Sequence, residues 1–71
     1  MFFPRLKDLR DDDDKSQQEI ADMLNFSRES YRRYEKGIRE IPVCAVIKLA
    51  DHYGVSTDYI LGRTNNSKVI T

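Results

Sequence analysis

The sequence predicts an all-α domain of five short helices, and three observations predict it. Apolar residues recur three and four positions apart, as in Ile20, Ala21, Met23 and Leu24, which is the period of a helix that buries one face. Helix-starting serines precede these runs (Ser16, Ser27, Ser56) and helix-stopping residues follow them (Asn25, Gly37, Gly54, Gly62), since a serine oxygen accepts an orphan N–H at the start while Gly and Asn tolerate the left-handed turn at the end. No alternating apolar–polar run competes as a strand.

The first helix is expected from about Pro4 to Arg10 or Asp11. Phe2, Phe3, Leu6 and Leu9 supply its apolar spacing, and Pro4 fits a first turn, where its missing N–H has no partner to lose. Asp11, Asp12, Asp13 and Asp14 should end it, because adjacent carboxylates repel and sit badly at the negative end of the helix dipole. The second helix opens on Ser16 with Glu19 three residues on. In such a capping box each side chain satisfies the other residue's backbone N–H. The helix should stop at Asn25. The third is capped by Ser27, turns Tyr31 and Tyr34 inward, ends at Gly37 and shows an outward face of Arg28, Glu29, Arg32, Arg33 and Lys36. The fourth starts near Pro42 and is expected to carry Val43, Val46, Ile47, Ala50 and Tyr53 inward before Gly54. The fifth is capped by Ser56, places Asp58 in its positive first turn, buries Ile60 and Leu61, and stops at Gly62.

A chain of 71 residues makes one domain, and at this size folding buries only about 60% of the unfolded surface. Twelve cations balance twelve anions, 34% of residues are charged and 39% are hydrophobic, a composition suited to a globular domain. No run approaches the roughly 18 apolar residues of a membrane span, and Pro4, Arg5 and Lys7 follow Met1-Phe2-Phe3 too soon for a signal peptide. With one cysteine and one histidine, neither a disulfide framework nor the usual zinc site is available. The adjacent aspartates cannot converge on one ion unaided. No nucleophile–base set or phosphate-cradling glycine loop is present either. The expectation is an intracellular, non-enzymatic domain without metal or cofactor.

Zero net charge conceals an uneven distribution. Residues 1–24 carry a balance of −3, whereas residues 25–39 hold Arg28, Arg32, Arg33, Lys36 and Arg39 against Glu29 and Glu35, a balance of +3. A polyanionic partner senses charges within roughly 8–10 Å, so the local excess points to nucleic acid. Its bland alternative is a solvated helix face. The lone Cys44 and His52 are read as a small apolar residue and a surface residue, ahead of a redox or catalytic role.

The second and third helices have the spacing of a helix–turn–helix. Counting from Gln17, Ala21 is fifth and Asn25 ninth, and Ile20, Leu24, Phe26, Tyr31 and Tyr34 fill the fourth, eighth, tenth, fifteenth and eighteenth positions. The fifth position needs a small residue where the helices touch, the ninth a turn residue, and the others lock the pair. RLKDLR (5–10), SQQEIADML (16–24), SRESYRRYEKG (27–37) and IPVCAVIKLADHYGVSTDYILG (41–62) resemble the lambda-repressor/Cro type of helix–turn–helix domain, the xenobiotic-response-element family. The resemblance implies a DNA-binding domain over residues 1–62, with 63–71 a short tail that is dimer-contacting or disordered. It also implies a third helix in the major groove, where Ser27, Arg28, Glu29, Arg32 and Arg33 would read bases. Ser16 and Gln17 at the start of the second helix, and Lys36 and Arg39 after the third, would contact phosphate.

This sequence departs from the family pattern in three places. Tyr31 stands where Val or Ile is common, so its hydroxyl needs water, protein or phosphate. Asn25 replaces the usual Gly at little cost, and the four aspartates should weaken non-specific affinity for DNA. Asp11–Lys15 also spells the recognition sequence of enteropeptidase, but it lies between two helices of the matching frame and reads as part of the domain.

The resemblance implies a bacterial or phage regulator, a repressor acting in the cytoplasm on the nucleoid, that binds an inverted-repeat operator in double-stranded DNA as a homodimer. With little chain after Gly62, dimer contacts are expected from Tyr59, Ile60, Val69 and Ile70, unless the chain is one domain of a longer protein. The alternative is an antitoxin or anti-repressor module whose main partner is another protein. No membrane association is expected.

Overall fold

Three of the helices begin at a serine cap, and the other two begin at a proline without a side-chain cap bond. The computed structural model describes residues 2–66, in the order α1 (Pro4–Asp12), α2 (Gln17–Leu24), α3 (Arg28–Lys36), α4 (Val43–Tyr53) and α5 (Thr57–Ile60). Pro4 opens α1 and Pro42 caps α4. The capping box of α2 closes in both directions: the Glu19 N–H donates to Ser16 Oγ at 3.1 Å, and the Ser16 N–H donates to Glu19 Oε1 at 3.0 Å. Ser27 and Ser56 accept from the N–H groups of Ser30 and Tyr59.

The helix ends also follow the sequence, with one extension. α1 runs through Asp12, beyond the expected stop at Arg10 or Asp11. Asp11 is tolerated in the last turn because Lys7, one turn back, donates to it at 2.9 Å and Arg10 lies 3.7 Å away. The break comes at Asp14, whose φ of 58° is left-handed. α2 ends at Asn25 with φ 60°. α3 ends at Gly37, where φ is 76° and an added Cβ would lie 2.9 Å from the Phe2 backbone. Glycine is required there for two reasons, and only the first was visible in the sequence.

The core gathers Leu6, Ile20, Ala21, Leu24, Tyr31, Ala45, Val46, Leu49, Ala50, Val55 and Ile60, drawing on all five helices. The inward face of α4 differs from the expectation. Val43 is 74% exposed and Ile47 48%, whereas Ala45 and Leu49 are buried. The buried stripe is centred on Ala45, Val46, Leu49 and Ala50, and Val43 and Ile47 fall on its flank. Phe2 and Met23, grouped by spacing with the apolar faces of α1 and α2, are exposed as well.

One ionic cluster ties three helices together. Arg10 on α1 donates from Nε to Glu35 Oε2 at 2.7 Å and from Nη2 to Glu35 Oε1 at 3.2 Å. Gln17 on α2 adds a third bond to Oε1 at 3.2 Å. Glu35, on α3, is 4% exposed. Burial alone would raise its carboxyl pKa, but the bonds from Arg10 and Gln17, with the nearby Tyr31 hydroxyl, outweigh burial and hold it below the usual carboxylate range. The Tyr31 hydroxyl is itself enclosed with no partner of normal hydrogen-bond geometry among the described residues, and burial pushes its pKa up. Arg10 also donates from Nη1 to the Lys15 carbonyl at 2.9 Å, which pins the α1–α2 loop.

Glu35→Ala should therefore cost about 2–4 kcal/mol, because it strands a largely buried guanidinium. In a domain of this size that lowers Tm by roughly 10–25 °C, measurable by thermal circular dichroism. The lowered carboxyl pKa sets the sign of the pH dependence. Its stabilisation is complete above the unfolded carboxyl pKa of about 4.3 and is lost as pH falls through the lower folded value. Wild-type stability should fall below about pH 4.5 more steeply than that of Glu35→Gln. Parallel pH curves for the two proteins would count against the cluster.

Candidate nucleic-acid interface

α2, the turn at Asn25–Ser27 and α3 pack as a pair. Ala21 sits fully buried where the helices approach, between Ile20 and Leu24 on α2 and Tyr31 on α3. Phe26 and Tyr34 close the outer end of the pair edge to face, their ring centroids 5.6 Å apart. The turn is held by the Phe26 N–H donating to the Ala21 carbonyl at 2.9 Å. With Tyr31 and Glu35 turned into the fold, helical geometry leaves Arg28, Glu29, Arg32, Arg33 and Lys36 along the opposite side of α3.

The predicted base-reading residues share this face but differ in what occupies them. Ser27 is engaged locally, accepting from the Ser30 N–H and donating to Ser30 Oγ at 3.0 Å. Arg28 and Lys36 are exposed and make no ion pair among the described residues. Glu29 takes Arg32 with both oxygens, Nε to Oε2 at 3.1 Å and Nη2 to Oε1 at 2.6 Å, while Arg33 Nε lies 3.3 Å from Oε1. The bonds from Arg32 hold the Glu29 carboxyl down to about 2. The spacing of Glu29, Arg32 and Arg33 by three and four is the signal for such pairing, but the expectation assigned all three to bases and did not pair them.

The expected phosphate contacts are less uniform. Ser16 spends its hydroxyl on the capping box, and Gln17 is half-buried with its amide on Glu35. The expectation gave Gln17 an outward role alone; the buried carboxylate was hidden from a linear reading. Arg39 is exposed in the loop after α3, its N–H directed to the Arg33 carbonyl at 3.4 Å. Of the aspartate run, Asp11 is paired with Lys7, and Asp13 lies 2.8 Å from His52 Nε2.

Among the dimer candidates, Ile60 needs correction. It is 1% exposed and belongs to the protomer's own core, so it has no surface to offer a second copy. Tyr59 is half-buried beneath Arg5, whose guanidinium lies 4.0 Å from the ring centroid. Arg5 also bonds the carbonyls of Tyr59 and Thr64 and the side chain of Asn65. Val69 and Ile70 lie outside the described residues.

A helix-turn-helix family model matches residues 6–60. The chain belongs to this helix-turn-helix family. It is 42% identical over 65 residues to the SPbeta prophage-derived uncharacterized HTH-type transcriptional regulator YonR of Bacillus subtilis, covering 92% of this chain and 60% of that protein. It is 38% identical to the HTH-type transcriptional regulator ImmR of the same organism, covering 90% of this chain and 50% of the relative. It is also 38% identical to the cryptic phage CTXphi transcriptional repressor RstR of Vibrio cholerae, covering 78% of this chain and 50% of the relative. The chain thus spans between half and three fifths of the length of these relatives. No solved structure gives a significant match. The printed names of these relatives are those of transcriptional regulators, in one case a phage repressor. Among the described residues no helix is long and apolar enough to cross a membrane.

The left-handed Asn25 makes the helix-turn-helix testable. Asn25→Val should destabilise the domain by about 1–2 kcal/mol, the cost of forcing a branched side chain into that region, whereas Asn25→Gly should leave Tm within a few degrees of wild type. Equal melting of Asn25→Val and wild type would remove this turn geometry.

Proposed function

We propose that the domain is a sequence-specific repressor module that binds an inverted-repeat operator as a homodimer, in the cytoplasm on the nucleoid of a bacterium. The observation that carries this reading is the outward face of α3. Arg28, Arg32, Arg33 and Lys36 line the second helix of a helix-turn-helix, opposite a side fixed by Tyr31 and Glu35. Such a helix enters the major groove, where an arginine fork matches guanine O6 and N7. Lys36, Arg39 and the N-terminal turn of α2 at Ser16 and Gln17 are the proposed phosphate contacts, which set position without reading sequence. The repressor role draws on the printed name of the phage relative.

The homodimer is supported by energetics. One helix of nine residues reads only a few base pairs, and two half-sites a helical turn apart roughly double the binding free energy. The exposed Val43 and Ile47 on α4, in place of Ile60, are the apolar side chains proposed to be buried between the copies. Ile47→Asp should shift the chain toward monomer in sedimentation equilibrium while leaving its melting temperature near that of wild type.

Selection from a random duplex pool tests the reading directly, and enrichment of an inverted repeat is the expected result. Arg33→Glu should lower affinity for the enriched sequence by at least about tenfold, the value of one bidentate base contact, with an unchanged helical circular-dichroism spectrum. Undiminished affinity in that variant would remove α3 from the interface.

A further inference from the structure

The contact between Glu29 and Arg32 is more specific than a pairing of opposite charges. A guanidinium has two forked edges, one formed by Nε with the adjacent Nη and one formed by the two Nη groups end-on. Glu29 occupies the Nε/Nη2 edge with both of its oxygens. The end-on edge of Arg32 keeps an N–H on each Nη, which is the pair of donors that a guanine O6/N7 edge accepts. Glu29 Oε1 meets Arg32 and Arg33 together, so this oxygen is already engaged before any base approaches.

We propose that Glu29 is a positioning residue for Arg32 and not a reader of bases itself: it grips the side edge of the guanidinium and presents the end-on edge to one guanine. This rests on the operator-binding reading above and changes the part assigned to Glu29, which the family resemblance places among the base readers, where a carboxylate would accept from cytosine N4. In the free protein the pair is exposed and weak. When α3 enters the groove, water leaves, the effective dielectric falls and the same contact strengthens, so the grip is firmest where discrimination is needed. The carboxylate also subtracts one charge from the face that DNA phosphates see, which lowers affinity for non-matching sequence. The low carboxyl pKa keeps Glu29 anionic at any working pH.

The test is a double-mutant cycle on the full chain, with Glu29→Ala, Arg32→Ala and the double variant. Each is measured by duplex selection and by titration against the enriched sequence, its single-base variants and a scrambled duplex. Wild type should show a guanine preference that Arg32→Ala removes. Glu29→Ala should weaken that same preference about fivefold or more, while affinity for the scrambled duplex rises about 2–10-fold and the salt slope steepens by about one phosphate contact. The double variant should discriminate no worse than Arg32→Ala alone. The proposal is overturned if Glu29→Ala erases a cytosine preference at another position, leaves the guanine preference intact and adds to Arg32→Ala in the double variant. It is also overturned, together with the operator reading, if wild type enriches no sequence at all; the first failure leaves operator binding standing and the second does not.

Discussion

The carboxylate of Glu35, buried beneath α3, is the constraint around which the domain is arranged. A buried anion is tolerated only with its oxygens satisfied, and here Arg10 and Gln17 do this from α1 and α2. These bonds fix how the first three helices meet, since moving any one of them opens a gap around a charge. They also fix the rotation of α3 about its own axis: with Tyr31 and Glu35 held inside, positions 28, 29, 32, 33 and 36 must face out. The surface proposed to read DNA is in this sense the reverse side of a core requirement.

The same cluster reaches the edge of the interface through Gln17 and through the Lys15 carbonyl held by Arg10. The start of α2 is therefore anchored to the core, so its first-turn N–H groups are presented from a rigid support. That favours a backbone role for this turn in meeting phosphate, with the Gln17 side chain partly withdrawn. The aspartate loop just before it is partly neutralised. Lys7 and Arg10 attend Asp11, which lessens the repulsion that a bare count of carboxylates suggests.

What could be read from the sequence was what depends on neighbours along the chain. Ser16 with Glu19, Ser27, Asn25 and Gly37 gave the limits of α2 and α3 because caps and stops act within four residues. Ala21, Ile20 and Leu24 gave the helix-turn-helix because its spacing is local too. The Arg10–Glu35 pair, 25 residues apart, and the clasp of Arg5 on Thr64 and Asn65 have no local signature, since both depend on how helices cross. The face of α4 was misjudged for a related reason. Small Ala45 carries little weight in a hydropathy pattern, yet it is buried, and choosing Val43 and Ile47 instead rotated the expected stripe. Ile60 was expected both in the core and at a dimer contact, and its burial keeps only the first.

Net charge and local charge act at different ranges, and that separation bears on discrimination. At zero net charge the domain gains little from long-range attraction to DNA, so binding to an arbitrary sequence rests on the few cations around α3. Within that patch Glu29 removes a further charge while leaving the Arg32 end-on edge available. Both effects fall on phosphate attraction, which every sequence shares, and neither falls on a guanine fork, which only a matching site supplies. A small domain cannot gain specificity by adding many base contacts. Lowering the term common to all sequences leaves selectivity unchanged, because that term cancels in the difference between the two affinities; it lowers the hold on arbitrary DNA in absolute terms and leaves discrimination to the base contacts. The acidic residues thus set how tightly the proposed interface holds arbitrary DNA, while discrimination stays with the proposed base contacts.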